Sequence, residues 1–119
     1  MLKFTNSHEW IQIDGDIGTI GITTHAQKEL GEIVYLELPP LGKKVALGEE
    51  ACVLESTKAA ADIYAPVSGE VVAINTDLKD SIHTINQDPQ KSGWLFKLKL
   101  SHPHEIDELL DEAEYTELL

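Results

Sequence analysis

A mostly β fold with short added helices is the class this sequence predicts, and three features predict it. Through the first hundred residues the apolar runs are short and often alternate with polar positions, which is strand patterning and not that of a helical bundle. Turn residues break these runs at Asp14-Gly15, Pro39-Pro40-Leu41-Gly42, Leu47-Gly48 and Pro66-Val67-Ser68-Gly69. Helical spacing takes over only after Ser101, where Ile106, Leu109 and Leu110 are placed to form one stripe.

Taken in order, Trp10 to Ile13 and Asp16 to Ile22 predict a hairpin. Asp14-Gly15 supplies the positive φ angles of its turn, and Ile11, Ile13, Ile20 and Ile22 supply core-facing positions. Thr23-Thr24 offers an N-cap for a helix over His25 to Leu30, with Gly31 as its left-handed stop. A strand over Ile33 to Leu38 ends at the paired prolines, which cannot donate to a ladder. Ala51 to Ser56 and Asp62 to Ala65 predict two strands joined by a tight connection centred on Thr57-Lys58-Ala59. A further strand covers Glu70 to Asn75, and Trp94 to Leu100 is the last, with its lysines alternating outward. Between them, residues 76 to 90 are polar and turn-rich, and the expectation is a surface excursion with one helical turn near Asp80 to Thr84. A second short helix is expected around Asp111 to Leu119. Gly48-Glu49 and Gly69-Glu70 precede the strands that lead to and away from Lys58, a weak internal symmetry. Two strand groups folded over each other place that hairpin at an exposed end of a flattened sandwich.

Bulk properties narrow the functions. A chain of 119 residues with 42% apolar content suits one compact domain over 1–119. Nine basic residues against 21 acidic ones give a net charge of −12, which argues against nucleic acid or an anionic membrane surface as partner. The N-terminus has no apolar signal-like core, and no apolar run reaches bilayer length, so the expectation is a cytoplasmic protein. The one cysteine, Cys52, lies among Ala51, Val53 and Leu54 and reads as a small buried core residue rather than a nucleophile. His102 and His104 flank Pro103 in a helix-opening turn and have no partners at metal-ligand spacing, so no metal is expected. His8 and Glu9 are neighbours on a strand and point to opposite faces, which excludes an acid–base pair. Phosphate loops and a serine nucleophile elbow are missing, so the chain does not read as an enzyme. Glu105 to Glu117 contains seven acids and no base, a solvated helical face rather than a docking tail.

Glu55-Ser56-Thr57-Lys58-Ala59-Ala60-Ala61-Asp62 sets one lysine among small residues at a turn between strands. Such a turn presents an amine on a rigid base to a second protein, although a lysine at a β-turn is ordinarily a solvated side chain. This stretch, with Ser7-His8-Glu9-Trp10, Gly21-Ile22-Thr23, Leu30-Gly31-Glu32-Ile33-Val34, Glu37-Leu38-Pro39, Asp62 to Val71, Asn86-Gln87-Asp88-Pro89 and Gly93-Trp94-Leu95, resembles the H-protein of the glycine cleavage system over nearly the whole chain. The resemblance implies a barrel-sandwich hybrid of the lipoyl and biotinyl type. It further implies lipoic acid, one per chain, in amide linkage to Lys58, and a carrier subunit without catalytic residues of its own. Its implied partners are the pyridoxal-phosphate glycine decarboxylase (P-protein), the tetrahydrofolate-dependent aminomethyltransferase (T-protein), the flavin dihydrolipoyl dehydrogenase (L-protein) and the enzymes of lipoyl attachment. By the same resemblance, Ser7, Glu9 and Asp62 stand at the positions of the cleft that shelters the loaded arm.

Biotin carriers also modify a hairpin lysine but flank it with methionine, and here the flanks are Thr57 and Ala59. Lipoyl domains of 2-oxo acid dehydrogenases commonly place Asp before the lysine and belong to long chains. The sequence departs from the H-protein pattern at Ile82-His83-Thr84 and Gln90-Lys91-Ser92. Two alternatives stay open at this stage: an H-like protein acting in lipoate assembly or relay, and an interaction module with Lys58 unmodified.

Overall fold

A computed structural model describes residues 1–119 as two antiparallel sheets with short helical segments. The strands are β1 (Leu2–Phe4), β2 (Glu9–Asp14), β3 (Ile17–Ile22), β4 (Ile33–Glu37), β5 (Lys44–Val45), β6 (Glu50–Ser56), β7 (Ala60–Tyr64), β8 (Gly69–Ile74) and β9 (Phe96–Leu100). The helices are α1 (Thr24–Leu30), α2 (His83–Gln87) and α3 (Glu112–Leu118), with 3-10 segments at Thr76–Lys79 and Pro103–Glu108. One sheet has six strands in the order β1-β2-β3-β9-β8-β5, and the other has three in the order β4-β6-β7. The particle is flattened, 37 × 35 × 21 Å.

Alternation along the strands builds the core between these sheets. Ile11, Ile13, Ile20, Ile22, Leu54, Ile63, Val71, Phe96 and Leu98 belong to one cluster of 19 buried residues, so the expected mostly β class holds. The opposite face of β2 is covered too: Trp10 joins Phe4 and Tyr115 in a second cluster, where the Phe4 and Tyr115 rings stack at 4.6 Å. That cluster attaches α3 to β1, alongside a backbone bridge between Phe4 and Leu110.

Several expectations are corrected. The β2–β3 register pairs Asp14 with Ile17, so the turn is Gly15-Asp16, and only Gly15 has a positive φ (61°). Glycine takes that conformation without a side-chain clash, and it shifts the turn one residue along from Asp14-Gly15. Residues 76 to 90 are not merely a surface excursion. Leu78 and Ile85 are fully buried in the main core, and the helical pieces are Thr76–Lys79 and His83–Gln87 instead of Asp80 to Thr84. Two isolated apolar residues in a polar stretch are enough to cap the end of a sandwich. The stripe of Ile106, Leu109 and Leu110 is also not one α-helical face. Pro103–Glu108 winds as 3-10, Leu109 is extended, and Ile106 and Leu109 pack on the main core while Leu110 packs on the second cluster. The two- and three-residue strands β5 and β1 were too short to read from alternation. Cys52 is buried as expected, and burial pushes its thiol up to about 12.

Candidate lipoyl site and arm cleft

Lys58 stands at the tip of the β6–β7 hairpin, exposed, on the smaller sheet. The turn is closed by Ser56 at both backbone and side chain. Ser56 N–H donates to the Ala59 carbonyl at 2.8 Å, and Ser56 Oγ accepts from the amides of Lys58 and Ala59, each at 3.0 Å. The same hydroxyl donates to the Ala59 carbonyl at 3.2 Å, which uses its donor and both lone pairs. Thr57 N–H donates to the Glu32 carbonyl at 3.1 Å and fastens the tip to the α1–β4 connection. Lys58 takes part in neither of the two ion pairs of the molecule, so its amine is not drawn aside by an acid.

Gly31 gives the lysine stem its path. Thr23 caps the start of α1 by accepting from Ala26 N–H, and Gly31 ends it at φ 87°, in the left-handed region. A Cβ at Gly31 would stand 3.3 Å from Lys58 Cε and 3.6 Å from Nζ, so the stem crosses the helix end where there is no side chain. The preceding residue, Leu30, lines a cleft of about 260 Å³ whose other walls include Ser7, His8, Glu9, Ala26, Glu29, Asp62 and Tyr64. The three residues singled out beside Lys58, namely Ser7, Glu9 and Asp62, thus border a single recess, which Lys58 itself does not line.

Glu9 is its most constrained member. It starts β2 on the face that carries Ile11 and Ile13, and its carboxylate reaches β7 of the other sheet, with 2% of the residue exposed. Oε1 accepts from Thr5 Oγ1 and from Ser7 Oγ, both at 2.6 Å, while Oε2 accepts a long 3.5 Å bond from Tyr64 N–H of β7. Glu9 N–H returns a bond to Thr5 Oγ1 at 3.0 Å. Burial holds this carboxyl above the usual carboxylate range, and the Ser7, Thr5 and Tyr64 donors and the nearby His8 oppose the rise. Asp62 and Ser7 are exposed and complete the polar rim. Ser7, Glu9 and Tyr64 also border a second groove of about 390 Å³, on the side of Glu105 and Leu109.

The backbone at His8 explains how Ser7 and Glu9 come to face the recess. His8 has φ 70°, the single non-glycine residue with a positive φ, a conformation that costs about 1–2 kcal/mol and that histidine adopts more readily than most residues. His8 precedes β2 instead of lying on it, so the expected strand alternation does not separate it from Glu9, and both border the recess; its Nδ1 lies 2.7 Å from the Tyr115 hydroxyl. His102 and His104 are exposed with ring centroids 5.9 Å apart, and no cluster of metal-ligating side chains exists in the structure.

A family model described as Glycine cleavage H-protein matches residues 2–119. The chain belongs to the glycine cleavage H-protein family. The members of this family, this chain included, are the lipoyl carriers of the glycine cleavage system. Among H-protein relatives, the glycine cleavage system H protein of Parvibaculum lavamentivorans is 49% identical over 118 residues, covering 99% of this chain and 94% of the relative. That of Thermotoga maritima is 48% identical over 117 residues, with 98% and 94% covered. The crystal structure of a glycine cleavage system H protein from Mycobacterium marinum superposes with a TM-score of 0.89 at 38% identity, covering 98% of this chain and 94% of that one. The barrel-sandwich hybrid expected of an H-protein is therefore the fold observed. No helix is long and apolar enough to cross a membrane.

The sequence left other members of the H-protein recess unmarked. Glu29 lines it and Thr5 supports it through Glu9 Oε1, neither with a motif of its own, and Tyr64 lines it from a stretch quoted above only for the resemblance. Asn86, quoted above only as part of a resemblance, accepts from Ile33 N–H at 2.8 Å and donates to the Ile33 carbonyl at 3.1 Å, fixing the start of β4 from α2. The atypical Gln90 is also structural: its Oε1 accepts from Thr24 N–H at 3.0 Å at the start of α1.

Proposed function

We propose that this chain carries lipoic acid in amide linkage to Lys58 Nζ, and that Ser7, Glu9 and Asp62 line the recess that shelters the arm when it is loaded. The observation that carries this reading is the setting of Lys58: an exposed, unpaired amine on a turn locked by Ser56, with its stem lying over Gly31 at the end of α1. The residues present suit the group, because small flanks leave the amine open to an attaching enzyme, and α1, whose end the lysine stem crosses, also walls a recess lined by the carboxylates of Glu9, Glu29 and Asp62.

When bound, the lipoyl dithiol supplies the chemistry of carriage, holding the aminomethyl group left by glycine decarboxylation until a tetrahydrofolate enzyme takes its methylene. This chain's own residues bind, orient and exclude water. Glu9 offers Oε2, the less engaged of its oxygens, to a protonated amine, while Ser7 and Thr5 hold Oε1. Asp62 adds a second negative charge at the rim, and Ala26, Leu30 and Ile63 form an apolar floor that keeps water from the load. The rigid sheet under the hairpin keeps the tethered group at high effective concentration near each partner in turn. On this reading the partners are the glycine decarboxylase, the aminomethyltransferase, the dihydrolipoyl dehydrogenase and the lipoyl-attaching enzymes, and the chain contributes no catalytic residue.

The test is an intact mass of the protein from its native host, followed by peptide mapping across Glu55 to Pro66. One lipoyl group on Lys58 is the expected result. A bare lysine in a cell with active lipoylation overturns the reading in favour of an unmodified interaction module.

A further inference from the structure

Besides the β7 wall that carries Asp62 and Tyr64, the recess has two walls that come from separate parts of the chain. One is the corner Ser7-His8-Glu9 at the start of β2, and the other is α1, which contributes Ala26, Glu29 and Leu30. A backbone bond from Thr23 N–H to the His8 carbonyl, 3.0 Å, joins them at one point. A second junction is made by a residue 107 positions from His8 in sequence. The Tyr115 hydroxyl lies 2.7 Å from His8 Nδ1 and 2.7 Å from Thr23 Oγ1, within hydrogen-bonding distance of both. Thr23 Oγ1 is the oxygen that caps α1 through Ala26 N–H, at 3.2 Å.

One hydroxyl therefore contacts the left-handed residue that aims Ser7 and Glu9, and also the cap that fixes the first turn of α1. The contact is well buttressed. Tyr115 is 5% exposed, its ring stacks on Phe4, and Asp111 and Glu114 form a capping box that starts α3. A hydroxyl can donate once and accept twice, so it serves His8 and Thr23 together whichever ring nitrogen of His8 carries the proton.

We propose that the hydroxyl of Tyr115 is a positioning group for the arm cleft, holding the Ser7-His8-Glu9 corner and α1 at a fixed separation, so that α3 is part of the carrier machinery. This rests on the reading of the cleft as the shelter of the loaded arm. Tyr115 itself is absent from the cleft lining and acts through His8 and Thr23.

The test uses the full chain with Tyr115→Phe, Glu9→Gln and a stability control, Ile85→Val, whose side chain lies in the main core. Phenylalanine keeps the stack on Phe4 and removes only the hydroxyl. In the apo protein, Tyr115→Phe speeds amide hydrogen exchange at Thr23, Ala26 and Glu9 about tenfold and leaves Ser56 unchanged, a pattern that Ile85→Val does not reproduce. Unchanged exchange at Thr23 overturns the assignment. In the lipoylated protein carrying its aminomethyl load, Tyr115→Phe and Glu9→Gln each shorten the lifetime of the load about tenfold. If Glu9→Gln shortens it and Tyr115→Phe does no more than Ile85→Val, the role given to Tyr115 is wrong while the cleft reading stands. If neither shortens it, the cleft reading fails and takes the inference with it.

Discussion

Lys58 and Glu9 are opposite solutions for a charged side chain. Lys58 keeps its charge in water and is held only by its backbone, so replacing it disturbs little else. Lys58→Arg is expected to melt like the parent and to leave cells with no lipoyl mass increment, because a guanidinium is not acylated in place of the amine. Normal lipoylation of that variant would place the attachment elsewhere. Glu9 is buried, and its carboxyl is raised mainly by desolvation. A carboxyl whose folded value lies above its unfolded one binds more protons in the folded state. Its contribution to stability is thus greatest below about pH 4.3 and declines as pH rises through the folded value. Glu9→Gln should therefore gain stability relative to the parent as pH is raised from 4 to 8, in paired melting curves; a gap independent of pH would contradict the shift. At this scale the place of Lys58 at a hairpin tip was legible in the sequence, because small flanks at a turn leave a local trace, whereas its role was implied only by the resemblance. Thr5 and Tyr115 left none, since their hydroxyls matter through partners that only the fold brings near.

The hairpin β6–β7, the helix α1 and their caps follow from neighbouring residues, and all were readable. Thr23 at the N-cap, Gly31 at the stop and the alternation of β2 and β3 fall where the patterns put them, because each is decided within a few residues. Elements decided by distant contacts were not. Residues 76 to 90 look polar, yet Leu78 and Ile85 plug the core, and Asn86 takes both backbone groups of Ile33. Ile85→Ala should cost about 2–5 kcal/mol in chemical denaturation, in keeping with a fully buried side chain rather than a loop residue. A loss below 0.5 kcal/mol, the range typical of surface positions, would return the segment to the surface. The 3-10 winding of Pro103–Glu108 escaped notice for a related reason. Glu105 accepts from Ser68 N–H and Ser68 Oγ at 2.7 and 2.9 Å, so one acid of that run is a tether to the β7–β8 turn and not part of a solvated face.

As a whole, the molecule is a thin double sheet with a net charge of −12, and of its nine basic residues only Lys58 stands on the smaller sheet. Association with a partner enzyme should slow as salt is raised from about 0.01 M to 0.15 M, which shortens the screening length from about 30 to about 8 Å. A rate indifferent to salt would assign the acidity to solubility alone. The two-layer architecture was legible from alternation and turns, whereas the joining of the chain's ends was not, because no local signal pairs Phe4 with Leu110 or His8 with Tyr115. That joining imposes an order on biosynthesis. Both strands of the Lys58 hairpin are present by Tyr64, but the bonds of Tyr115 to His8 and Thr23 cannot exist until α3 has left the ribosome. On the reading proposed above, a nascent chain thus displays Lys58 before its recess is braced, and removal of α3 would leave a lysine still open to modification above a cleft that guards it poorly.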